Sequence, residues 1–220
     1  AGAPIAAEDK DGKQAVHWAA QYDLPEMIRF LLDKGAKVDA CTVSDVTPLM
    51  LAAYFGKINA IKFLLSKRAN ASAVDHQGRM SVHFAAAKGH PECVRAFVQA
   101  APACVKHADD NGFTPLHWAA KNGSEECVTV LLSLQVDTEA QTVAEKYTPL
   151  HVAAIAGYAD IVTALVRGGA NIHSLNARGE EPIHVAALNG NVDVVEQLIE
   201  FGADVNQKGT KKGKIVFPSE

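Results

Sequence analysis

The chain has 220 residues, 48% of them hydrophobic, and a formal net charge of −4 with both signs interspersed. That apolar content supports a continuous core, the scattered charge gives no basic field for nucleic acid, and no stretch approaches the roughly 20 apolar residues of a membrane span. Nine histidines and four cysteines leave metal and thiol chemistry to be tested against spacing.

The first residues, Gly2-Ala3-Pro4-Ile5-Ala6, stand in the same register as Gly202-Ala203-Asp204-Val205-Asn206 near the other end, and show no signal-peptide pattern. They are expected to be the tail of an earlier unit of the pattern that follows. From residue 14 a short helical segment is predicted, then a tight turn at Asp23, then a longer helix ending in Leu31-Leu32. The same pair returns five times, most clearly at Gly112-Phe113-Thr114-Pro115-Leu116-His117-Trp118-Ala119-Ala120-Lys121-Asn122-Gly123. There Thr114 is a good N-cap, Pro115 occupies the first helical position where its missing N–H costs nothing, and Leu116, Ala119 and Ala120 form one apolar stripe. Gly123 ends the helix in a left-handed conformation. The second helix carries Cys127-Val128 and Val130-Leu131-Leu132, with Leu131 expected between units.

His17, Met50, His83, His117, His151 and His184 mark the register, at intervals of 33, 33, 34, 34 and 33 residues. Asp23 replaces the helix-ending glycine in the first unit, as a residue that tolerates the left-handed conformation. Arg68 and Gln135 replace the glycine at the repeat end, so those turns should be less standard. The extra residues, in Ala100–Asp109 and Gln141–Tyr147, read as longer fingers between units. Residues 207–220, with Lys208, Lys211, Lys212 and Lys214, either open a further unit or form a basic tail.

His90, Cys93, Cys104 and His107 spell a zinc-like spacing. Residues 91–100 should form one helix about 15 Å long, which separates the two halves, whereas zinc needs its ligands about 2.0–2.3 Å from one point. No H-E-x-x-H, P-loop or G-x-S-x-G pattern appears. Cys93 and Cys127 hold equivalent core-facing places in adjacent units, about 8–10 Å apart and beyond the roughly 7 Å reach of a disulfide. Cys41 and Cys104 lie in inter-unit fingers. The reading is four reduced cysteines, no catalytic residues, no metal and no cofactor.

A period near 33 with these motifs resembles the ankyrin repeat, over about residues 9–206. Repeats fall at about 9–41, 42–74, 75–108, 109–141, 142–175 and 176–208, with 1–8 the tail of a preceding repeat and 209–220 a tail or further start, all one domain over 1–220. The resemblance implies an all-α solenoid of stacked helix-turn-helix units with short β-turn or hairpin fingers. It implies that the motif histidines tie units together, and that fingers and first helices line a concave groove holding a partner protein or peptide. Carried over position by position, the partner-binding candidates are Tyr22, Val46, Tyr54, Phe55, Arg79, Phe113, Lys121 and Tyr147. Trp18 and Trp118, which follow the motif histidine, are read as core packing.

The implied function is a non-enzymatic, intracellular, most simply cytoplasmic interaction module, monomeric as an isolated fragment, with no nucleic-acid partner. The alternative is a regulatory array inside a larger enzyme or ion channel, docking on its own chain. Some members of the family are hydroxylated on asparagine at the end of Gly-Ala-Asp-Val-Asn with a leucine eight residues earlier. Asn206 with Leu198 fits that pattern.

Overall fold

A computed structural model describes residues 5–204 and builds them from six pairs of short helices. In chain order these are α1 (Ala15–Gln21) with α2 (Pro25–Asp33), α3 (Pro48–Tyr54) with α4 (Ile58–Ser66), and α5 (Ser81–Ala87) with α6 (Pro91–Ala100). Then follow α7 (Pro115–Lys121) with α8 (Glu125–Ser133), α9 (Pro149–Ala156) with α10 (Ala159–Arg167), and α11 (Pro182–Leu188) with α12 (Val192–Glu200). The first helices stack on one another in one layer and the second helices in a second layer. The main contacts lie within a pair or between neighbouring pairs. The alanine pairs permit this close stacking: Ala52, Ala53, Ala85, Ala86, Ala119, Ala120, Ala153 and Ala154 are fully buried. Leu49, Ile61, Leu64, Leu116, Leu131, Leu150, Leu165 and Leu198 fill the space between layers.

The first helices are only seven or eight residues long, too short to hold themselves together. Polar joints at their N-termini compensate. Thr114 Oγ1 accepts the His117 N–H at 3.4 Å, while the Thr114 N–H donates back to His117 Nδ1 at 3.2 Å. Thr148 and His151 repeat the arrangement. With Nδ1 accepting, the proton sits on Nε2, which donates to the following finger. His17 reaches the Val46 carbonyl at 3.1 Å, His83 that of His107 at 3.1 Å, His117 that of Tyr147 at 3.0 Å and His151 that of Glu180 at 3.0 Å. In the second unit Met50 sulfur takes the Nδ1 place, accepting the Thr47 N–H at 3.5 Å, but a thioether has no proton to pass on.

Turns between helices are fixed by a second set of joints. Gly56 has φ +66°, and a Cβ there would lie 2.6 Å from the His90 ring, whose Nε2 donates to the Tyr54 carbonyl at 3.2 Å. Asp23 adopts φ +57° in place of glycine and uses its carboxylate to accept the Ala60 N–H at 2.7 Å and the Asn59 amide at 2.9 Å in the next unit. Fingers close as Asx turns: Asp75 Oδ1 accepts from the Gln77 and Arg79 N–H groups, and Asp109 Oδ1 from those of Asn111 and Phe113. Single backbone bonds link successive fingers, from Val43 to Asp11, His76 to Ser44, Asp110 to Gln77, Val143 to Asn111 and Ala177 to Glu145. One bond per junction makes no ladder, and among the described residues there is no strand.

One expectation changes. The Ala100–Asp109 addition is not a longer finger. It folds as a 3-10 turn over Pro102–Lys106 that buries Cys104 and Val105, because these two apolar side chains have a core to enter. Arg68 and Gln135 do make less standard turns, as expected. They take the left-handed conformation at φ +64° and +53°, whereas Gly35, Gly169 and Gly202 relax to +97° or +98°. Asn206, residues 1–4 and the lysine-rich end lie outside the described residues.

Candidate partner-binding groove

On a helix, residues three and four apart share a face. Positions 16, 17, 19 and 20 of the first unit are buried, which leaves Trp18, Gln21 and Tyr22 on the opposite side. The corresponding positions of the next three units are Leu51, Tyr54 and Phe55; then Phe84, Ala87 and Lys88; then Trp118, Lys121 and Asn122. Together they share the outward face of α1, α3, α5 and α7 that the resemblance makes the candidate groove.

Trp18 and Trp118 therefore belong to the groove and not to the core. Trp18 is 40% exposed and stacks on Tyr22 with ring centroids 6.4 Å apart. Trp118 is half-buried. Its Nε1 donates to Asp109 Oδ2 at 2.9 Å and its ring face turns outward beneath two cations, Arg79 at 5.9 Å and Lys121 at 5.1 Å. Helical spacing carries this signal, since 18 lies four before 22 and 118 three before 121. Phe84 and Lys88, absent from the partner-binding candidates, occupy the same surface for the same reason.

Seven of the eight candidates divide into two sets. Tyr22 (62% exposed), Tyr54 and Phe55 project from the ends of first helices. Tyr54 meets Phe55 edge-on at 5.0 Å and Phe84 at 6.3 Å, and the Lys88 ammonium lies 4.6 Å from its ring centre. Val46, Arg79, Phe113 and Tyr147 occupy one register position at the finger base, four residues before the motif residue. Each is half-buried. Arg79 holds the buried Asp75 carboxylate through Nε at 2.9 Å and a terminal nitrogen at 2.6 Å, and lies 4.6 Å over the Phe84 ring. Burial tends to raise the Asp75 pKa, but these bonds outweigh it and hold the carboxyl below its usual range. Phe113 packs on His117 and Trp118 at 5.5 and 5.7 Å and carries Lys121 at 5.3 Å. Tyr147 packs on His151 at 5.8 Å against the core, and burial raises its phenol pKa. Lys121 is exposed. The structure thus brings Tyr54, Arg79, Phe84, Lys88 and Trp118 around one pocket of about 160 Å³, while Tyr22 and Tyr147 stand apart from it.

Burial pushes the thiols of Cys93 and Cys104 up to about 11 and that of Cys127 to about 12, well away from nucleophilic range. Burial pulls His83 and His117 down to about 4, so they are neutral hydrogen-bonding groups. His90 and His107 turn to carbonyls of different units, Tyr54 and Gly78, and do not converge with the cysteines. No helix among the described residues is long and apolar enough to cross a membrane.

Comparison with known proteins follows the same lines. The family model described as ankyrin repeats (3 copies) matches residues 1–75, 49–142 and 134–209. XBAT31 of Arabidopsis thaliana, a putative E3 ubiquitin-protein ligase, is 36% identical over 92 residues, which are 41% of this chain and 20% of that protein. XBAT33 of the same plant, an E3 ubiquitin-protein ligase, is 36% identical over 81 residues, 36% of this chain and 16% of its own. The matched stretches thus span a fifth or less of these relatives. The crystal structure of the human ASB11 ankyrin repeat domain aligns with a TM-score of 0.78 at 25% identity, covering 90% of this chain and 87% of that one.

Proposed function

The chain belongs to the ankyrin-repeat family, and on that premise we propose that it is a non-enzymatic interaction module that grips a partner protein or peptide along the concave face of its first helices. The observation that carries this reading is the run of exposed aromatic rings there. Trp18, Tyr22, Tyr54 and Phe55 are each 39–62% exposed, although the core beside them is filled. Exposed aromatics on a concave surface are the usual anchors of an interface. The unpaired thiols suit a reducing, intracellular setting, with the cytoplasm as the simplest place. A monomer without nucleic-acid partners completes the proposal.

A photo-crosslinking pair tests it. p-Benzoylphenylalanine in place of Tyr54 is expected to form a discrete adduct in cells, and the same residue in place of the exposed, back-face Lys62 is not. Adducts only at the back face would overturn the reading. A second reading is supported by the relatives' names and by the small share of them that this chain matches: the array acts as the regulatory or recognition part of a larger enzyme, docking on its own chain or on that enzyme's target.

A further inference from the structure

We propose that the middle of the groove is built for an acidic peptide, with an apolar side chain seated between α3, α5 and α7 and carboxylates resting on Lys88 and Lys121. This deepens the groove reading and rests on it.

Two local carboxylates, Asp75 and Asp109, are consumed by the fold. Asp75 is buried against Arg79 and two finger N–H groups, and Asp109 against Trp118 Nε1 and two more. The Lys88 and Lys121 ammonium groups have no such partner. Among the described residues neither makes an ion pair, and each sits over aromatic rings, Lys88 at 4.6 Å from Tyr54 and Lys121 at 5.1 Å from Trp118. A cation held over a ring is already positioned, so little side-chain freedom remains to be lost when an anion arrives. The pocket that Lys88 and Trp118 help to line, at about 160 Å³, falls below the roughly 300–1,000 Å³ of small-molecule sites and suits a single side chain.

Charge also limits the partner's kind. Farther along, Glu145 is already paired with Arg178 at 3.4 Å, but Asp11 and Asp110 stand exposed on the fingers. A continuous phosphate backbone would meet repulsion there, whereas a peptide has to present acid only at the two lysines. Neighbouring first helices stack about 8–10 Å apart and an extended peptide advances about 3.3 Å per residue. The two acidic residues should therefore stand about three apart, with the apolar residue between them.

Panning phage-displayed random dodecapeptides on the intact chain, then measuring synthetic fluorescein-labelled winners by anisotropy, tests this. Winners are expected to carry the acid–apolar–acid pattern. Changing both acids to amides, or changing Lys88→Gln and Lys121→Gln together, should each weaken binding about tenfold, with melting unchanged. Winners without acidic preference that are lost in Tyr54→Ala would overturn the acidic inference and leave the groove reading standing. Winners indifferent to Tyr54→Ala and to the lysine changes, or no winners at all, would overturn both. An oligothymidylate that binds more tightly than every peptide would overturn the inference in favour of single-stranded nucleic acid.

Discussion

A buried, neutral imidazole is the recurring polar joint of this chain, and it makes stability depend on pH. Desolvation holds His83 and His117 near 4 and lowers His17 and His151 as well, against about 6.5 in an unfolded chain. Between those values the unfolded chain binds more protons, so stability rises with pH there. It is fully present above about 6.5 and is lost as pH falls toward 4, by on the order of 3 kcal/mol for each of His83 and His117. Urea melts at neutral pH and near 4.5 are expected to show the loss; equal stability at both would mean these rings are not buried as described. The Asp75 carboxylate, whose pKa is lowered, adds its own loss only below its usual range near 3.8, so the two windows separate. Thiols give a second check. Cys41 is exposed and Cys93, Cys104 and Cys127 are buried, so a maleimide should modify one thiol quickly in the native chain and the other three only on unfolding. Fast labelling of two or more would contradict the burial of the 3-10 turn around Cys104.

At the scale of the helix pair, the second unit is the weak joint, because Met50 accepts the cap N–H but cannot donate to the finger that follows. Met50→His should supply the missing bond toward the finger base at Arg79 and raise stability by about 0.5–1.5 kcal/mol; a lower melting temperature would mean that the site is shaped for the thioether. Leu131 is fully buried between layers, and Leu131→Ala should cost about 2–5 kcal/mol through the cavity it leaves. Hydrogen exchange should quicken in the adjoining units too, since each unit is held by its neighbours; a change confined to α8 would contradict that coupling. Most of this scale was legible in the sequence, because caps, alanine pairs and helix-ending glycines act locally and recur with the period. The 3-10 turn at Pro102–Lys106 was not: whether Cys104 and Val105 enter the core depends on what α6 and α7 leave open, which no local pattern encodes. Trp18 and Trp118 failed for a different reason. Hydrophobicity argues for burial, and here the helical phase, which turns both rings into the groove, wins.

Across the whole molecule, the first-helix face bears most of the aromatic rings and their cations, with the Phe30–Lys34 and Phe63–Lys67 pairs on the second helices, while the polar joints bind unit to unit. Rings such as Tyr54 can bury a large apolar area at small cost in side-chain entropy, and charged neighbours such as Lys121 mainly steer and select. The groove was legible in outline from the positions free to vary around the repeat. Its centre was not, because the pocket draws Tyr54, Arg79, Phe84, Lys88 and Trp118 from three units and exists only once they stack. The most direct measurement takes the partner captured through position 54 and records affinity and thermal melting together for Tyr54→Ala, Phe55→Ala and Lys62→Ala. The expected result is a loss of about 2 kcal/mol or more in binding for at least one of the two aromatic variants, with melting close to that of the parent chain, and no change in either quantity for Lys62→Ala. Normal binding by both aromatic variants, or a loss that merely follows their unfolding, would contradict the groove as the seat of recognition.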